Sequence, residues 1–429
     1  MTKADPRKRG GLIHHRDFCL LWAGQSVSDV GTAVSTIVLP LIAVVYLHAS
    51  TFQVGALSAA QWVPWVLIGL PAGVWVDRSR RRRLMLGCDL LRAVLIGSIP
   101  VAGAFHRLGM AQLFVVALLT GLATVVFQVA YLSYVPILLD RDELAEGNAK
   151  LQGSGAVAQV VGPGIGGLLV QAFQAPFALV VDAASYLASA LALVAIRELE
   201  PKPQPVEHRS LRREIAEGTR YVIADPFLRV LTIAPAVANF FFVGFEAINV
   251  VFLVRTVHLA PASVGLLIGL VSVGSVVGAA LARTVGRWVG TSRAVWVGAL
   301  ITSPFGLLIA LTTRGAGLAF YVIGTVVLLI GILIYNVTVS SFRQAYCPAE
   351  ILGRVIATMR FVLFGTIPLG ALVGGILGSV LPIRDAVAVL LLGNCLPGLI
   401  LATSPLRQLR DLPDRPAGLP SSARAMPHT

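Results

Sequence analysis

Apolar residues run in long unbroken stretches along this chain, and short polar segments interrupt them at regular intervals. Twelve stretches qualify as helices, over residues 18–47, 52–76, 84–105, 110–134, 152–173, 176–196, 227–254, 262–284, 292–312, 316–342, 355–381 and 384–404. About 20 apolar residues at ~1.5 Å rise each cover a hydrocarbon core ~30 Å thick. Strands of a membrane barrel read as ~10 residues of alternation, whereas these runs are continuous. The pattern predicts an all-α membrane protein with twelve transmembrane helices.

Composition agrees. Of the 429 residues, 56% are hydrophobic and 13% charged, against about 25% charged in a soluble domain. The net charge of +13 raises the question of nucleic acid, but placement answers it. Of 34 basic residues, 28 lie in or beside the terminal segments and the loops after the even-numbered helices, and the opposite loops hold only Arg107, Arg255, Arg314 and Arg384. That bias predicts both termini in the cytoplasm of a multi-pass cell-membrane protein, with lipid as a partner and nucleic acid as none. Cys19, Cys88, Cys347 and Cys395 have neither metal-ligand spacing nor a pairing pattern, so no metal or other cofactor is expected. The chain lacks the phosphate loop of an ATP-driven pump and any nucleophile elbow or H-E-x-x-H, so an enzyme is not expected either.

The longest internal polar segment has a Pro-rich core, Glu200 to Pro205, a linker composition. The expected organisation is a tail over 1–17, a six-helix bundle over 18–196, a cytoplasmic linker over 197–226, a second bundle over 227–404 and a tail over 405–429. The halves look like copies. Trp75 to Arg81 and Leu281 to Arg287 stand 206 residues apart, Asp142-Glu-Leu and Ala349-Glu-Ile 207, Gly166-Gly-Leu and Gly374-Gly-Ile 208. Repeats of six helices keep their orientation, so an axis along the membrane normal should relate them, with a substrate site between them near the midplane.

Charges inside a span normally face the interior or water. Asp29 lies about eleven residues into the first span, ~16 Å deep. Gln25, Ser28, Asp29, Thr32, Ser35 and Thr36 share one helical face. They can wall a cavity in which Asp29 takes up a proton, or hydrogen-bond a neighbouring helix. Asn239, Glu246 and Asn249 follow one face of the seventh span, with the same two readings. Asp182 in the sixth span reads more as structure than as part of the cavity. Asp89 and Arg92, three residues apart, read as a local ion pair. Trp62, Pro64, Trp65 and Phe242 can line an apolar site or anchor the interface. Asp77, with Arg78 and Arg81, is an acid among arginines, placed to face the N-terminus of the eleventh span and Arg360 as a latch. Gly162, Pro163, Gly166 and Gly167 allow close approach and bending.

Two of these motifs carry a resemblance. Gly73 to Arg82 resembles the loop 2–3 signature of the major facilitator superfamily, G-x-L-A-D-R-x-G-R-K, with Arg80 in place of the second Gly. Gly162 to Gly167 resembles the G-P-x-x-G-G core of the antiporter motif, with Ala158 where a Gly usually precedes it. Glu217 to Val222, Pro226 to Arg229 and Val181 to Tyr186 resemble the branch that holds macrolide-efflux and enterobactin-exporter proteins. The resemblance spans about residues 16–405. It implies the major facilitator fold and a proton-coupled exporter of small amphipathic molecules, here expected as a monomer. The usual Arg of the fourth helix is missing. The alternatives are a symporter or uniporter for uptake, and a membrane sensor that keeps the fold without transport.

Overall fold

The computed structural model describes residues 12–140, 142–197, 200 and 211–413. The first half contains α1 (Arg16–Leu41), α2 (Thr51–Asp77), α3 (Arg81–Ala104), α4 (Met110–Leu138), α5 (Leu144–Ala172) and α6 (Val180–Ala195). A short amphipathic α7 (Leu211–Ala224) follows, then α8 (Pro226–Val251), α9 (Pro261–Val289), α10 (Thr291–Phe305), α11 (Leu318–Tyr346), α12 (Ala349–Val380), α13 (Ile383–Gly393) and α14 (Leu396–Ala402). Among the described residues eleven spans are long and apolar enough to cross a membrane, and α2, bent by 63° at Gly69 to Pro71, makes a twelfth when counted as one span. Their limits follow the sequence closely. The largest shift is at α5, which begins at Leu144 rather than 152.

Local chemistry sets the ends. Ser50 and Gln53 form a reciprocal capping box at the start of α2. The Asp225 carboxylate accepts from the backbone N–H of Phe227 and Leu228, which fixes the start of α8. The repeat is visible in the backbone itself. α1 and α8 each finish in a five-residue π-turn, Ile42–Tyr46 and Phe252–Thr256. Each turn leads to a histidine in the left-handed region, His48 (φ 49°) and His258 (φ 58°). The offset between these copies is 210 residues.

The surface is inverted relative to a soluble protein. Val94, Leu191 and Val380 are 71%, 70% and 76% exposed, as expected where lipid is the solvent. One core cluster joins residues of α1 to α6 with Val250 and Val251 of α8, so the halves share a core at one end of the bundle. The segment read as a linker holds a helix. α7 packs on α12, with Gly218 against the Arg354 carbonyl and an ion pair of 2.6 Å between Glu217 and Arg354. Most of the Pro-rich stretch, 201–205, lies outside the described residues, as do 1–11 and 414–429 of the two tails.

Candidate transport site between the halves

Two seams join the halves, α2 with α12 and α5 with α9. At the end away from the chain termini both are tight. A Cβ on Gly55 would come within 2.6 Å of the Gly375 Cα, and one on Gly167 within 2.9 Å of the Gly265 Cα, so only glycine fits at these crossings. Arg255 also donates to the Ala49 carbonyl there at 2.6 Å. At the termini end the seams part. An added Cβ meets nothing within 4 Å at Gly73 on α2, Gly353 on α12 or Gly153 on α5. The space between the halves is a cleft, shut at one end and open at the other.

Glu246 stands at the shut end. It is exposed although Phe245, Ala247 and Ile248 around it are buried, and Gly244 just before it packs on Gly370 and Gly374 of α12, so its carboxyl faces the cleft. Among the described residues no hydrogen bond or ion pair engages it. Its stripe neighbours are engaged: Asn249 donates to the Tyr321 hydroxyl at 2.8 Å and Asn239 to the Leu363 carbonyl at 3.3 Å. The repeat offset of 210 matches Glu246 with Thr36 and Asp29 with Asn239. Thr36 is likewise exposed among buried neighbours on α1.

The polar stripe of α1 divides between the two surroundings expected of it, a neighbouring helix and the less buried side. Ser28 and Ser35 are buried, and Ser35 donates to the fully buried Asp182 of α6. Asp182 therefore serves the α1–α6 contact. Thr32 shares a hydrogen bond with the Tyr186 hydroxyl at 3.1 Å. Gln25 and Asp29 lie on the less buried side, the Gln25 amide donating to Asp29 at 2.6 Å. A Cβ on Gly155 would lie 3.6 Å from the other Asp29 oxygen, which places that carboxyl against α5.

The centre of this region is Arg92, which sequence reasoning left as one half of a local pair. It is 4% exposed and ion-paired to Asp89. Its guanidinium lies 4.3 Å from the Phe127 ring centre and 4.4 Å from that of Tyr186. Asp29 of α1 and Asp182 of α6 are the other acids near it. α3 thus delivers to the α4 surface the cation that α4 itself lacks. The available signal was arithmetic: Asp29, Asp89 and Asp182 are three acids in apolar spans of one half, and Arg92 is the only basic residue midway along any of them.

The remaining candidates sit on the seams. Gly162 and Gly166 pack against Ala33 and Val34 of α1, while Gly167 meets α9 and the Pro163 carbonyl lies against Gly265. Asp77 pairs with Arg81 at 3.4 Å; Arg78 is exposed. Arg81 and Arg82 present their backbone N–H groups to Glu200, which caps α3, an unforeseen contact. Arg360 is exposed beside Arg343. The contacts Gly55–Gly375 and Trp65–Phe364 run antiparallel along the α2–α12 seam. Beyond these contacts α2 bends by 63° between Gly69 and Pro71, and Asp77 lies past the bend.

Two six-helix repeats around a cleft open to one side define a transporter of the major facilitator fold. Solved structures agree: a point mutant of the nucleoside transporter NupG has a TM-score of 0.74 at 12% identity, covering 90% of this chain and 98% of that one. A bacterial homologue of the iron transporter ferroportin, in an inward-facing state, scores 0.71 at 16% identity, covering 90% and 98%. The chain belongs to the transmembrane secretion effector family, whose profile matches residues 12–421. Curated relatives include the multidrug efflux pump Tap of Mycolicibacterium fortuitum, 25% identical over 95% of this chain and 99% of the relative. Macrolide efflux protein A of Streptococcus pyogenes is 21% identical over 84% and 88%, and the enterobactin exporter EntS of Shigella flexneri 26% over 94% and 95%.

Proposed function

We propose that this protein is a proton-coupled exporter of small amphipathic compounds, working as a monomer in the cell membrane with both termini in the cytoplasm. The observation that carries the reading is the cleft, sealed by glycine contacts at one end, open at the other, and bordered by carboxyl groups from both halves. Rocking the halves about these seams closes the open end and opens the sealed one. The efflux relatives give the direction of transport and the small-molecule cargo.

Asp29 is the proton site in this reading. Three acids surround one arginine in the first half. Arg92 directly neutralises Asp89, and Asp182 is committed to the α1–α6 packing. Asp29 is partly exposed where Asp89 and Asp182 are buried, and among the described residues its hydrogen-bond donor is the neutral Gln25, so it is the carboxyl that can take up a proton from water and return it as the cleft changes sides. The test is efflux of a dye or drug from proteoliposomes with an imposed pH gradient. Export that follows the gradient and stops with a protonophore is expected; export indifferent to both excludes proton coupling.

A further inference from the structure

The cleft has a polarity of its own. At its sealed end stands one carboxylate, Glu246, with no partner among the described residues; the Tyr321 hydroxyl group is its polar neighbour on α11. Toward the open end the wall becomes aromatic. At 100° per residue, Trp62 and Trp65 fall on the face of α2 between its α12 contact at Gly55 and its α4 contact at Gln61 and Pro64. That face borders the cleft. Phe364 of α12 meets them across the seam, 5.0 Å from the Trp65 ring and 6.3 Å from that of Trp62. Phe242 lies one turn from Glu246 on the same stripe of α8. All four rings are partly exposed. Asn239, which bonds to the residue before Phe364, is seven residues from Glu246, so the aromatic wall begins ~10 Å from the carboxylate. Arg343 and Arg360 belong to the open mouth. Fourteen residues of α12 separate Arg360 from Gly374, which packs on Gly244 near Glu246; that is ~21 Å, too far for an ion pair.

An exposed carboxylate with no partner among the described residues, one turn from Phe242 and ~10 Å from the wall of Trp62, Trp65 and Phe364, suits an amphipathic organic cation. The charge meets the carboxylate, and the rings attract any part of the cation that reaches them. We propose that Glu246 anchors the charged end of amphipathic organic cations, ammonium compounds foremost, while Trp62, Trp65 and Phe364 hold their apolar body. This names a substrate class for the exporter proposed above and rests on that reading.

The test compares two probes on the purified full-length protein. Tetraphenylphosphonium carries a permanent charge, so it does not titrate with pH; N-phenyl-1-naphthylamine is apolar and neutral. Glu246→Gln should weaken tetraphenylphosphonium binding by about 10-fold or more, as expected for losing one charge contact. It should leave the neutral probe within about 2-fold, and Glu246→Asp should restore most of the affinity. Trp65→Ala should weaken both probes. Unchanged cation affinity in Glu246→Gln, equal loss of both probes in Gln and Asp variants, or no cation binding by the wild type would each overturn the proposal. Proteoliposome efflux separates this from the parent reading. Wild-type export of the neutral probe without the cation defeats only the substrate class. Export of neither probe defeats the exporter reading itself.

Discussion

At the scale of the residue, Arg92 is the part of this protein hardest to replace. Its charge is buried, paired with Asp89 and held between two aromatic faces. Removing one partner of a buried pair leaves the other charge uncompensated, at a cost of about 3–5 kcal/mol. Arg92→Met should therefore lower the melting temperature of the purified protein markedly, and adding Asp89→Leu should recover part of the loss; equal melting of wild type and single variant would rule out this role. Asp29→Asn addresses function instead. It keeps the shape and the contact with Gln25 but cannot titrate. The variant should still bind substrate yet lose uphill, gradient-driven export, and uphill pumping at the wild-type rate would move the proton site elsewhere. Asp29 was legible in the sequence because a charge midway along an apolar run needs a reason. Its surroundings were not, since helical periodicity shows which residues share a face but not which helix that face meets. Ser28 and Ser35 belong to the stripe by spacing and to the α6 contact by packing.

At the scale of the element, the twelve spans were readable because lipid demands length and apolarity. Two things were hidden. α7 lies in a polar segment whose buried side shows only against α12, and a seam register is a relation between distant segments that no local pattern encodes. The register yields an expectation for the closed state. On the α5–α9 seam the contacts Gly167–Gly265 and Val160–Gly269 run antiparallel. Continued, they bring Glu146 level with Arg283 and Glu143 level with Arg287. In the present state Glu146 pairs with Lys150 at 3.4 Å, and Arg283 and Arg287 are exposed. On this register, closing the mouth joins acids of one half to arginines of the other, and on the opposite seam the proposed latch has Asp77 facing Arg360 and the N-terminus of α12, which favours a carboxylate. A Glu146→Cys, Arg283→Cys pair should form a disulfide only when the mouth closes, and oxidation should then arrest transport, with reduction restoring it. Asp77→Asn should cut transport severely while the protein remains in the membrane; wild-type rates in either experiment would show that the seam does not close this way.

At the scale of the whole molecule, charge placement and cleft geometry make independent statements that must agree. The proposed topology has the chain termini in the cytoplasm, following the basic residues, and the seams open at the terminal end, so the cleft should face the cytoplasm, where an exporter collects its cargo. Gly73 and Gly353 mark the opening from either half, and Gly55 and Gly375 mark the seal. Space around the first two admits a cysteine side chain without a clash, whereas the second pair has none to spare. In a background with the four native cysteines replaced by alanine, Gly73→Cys and Gly353→Cys should react with a membrane-impermeant maleimide in inverted vesicles and stay unlabelled in right-side-out ones. A substrate that holds the cleft open should speed the labelling, and any condition that closes the mouth should slow both positions together, because they face one another across a single seam. Labelling from the outer side would reverse the assigned topology. Labelling of one position without the other would mean that the halves do not part along α2 and α12, and the rocking motion would have to be sought on different helices.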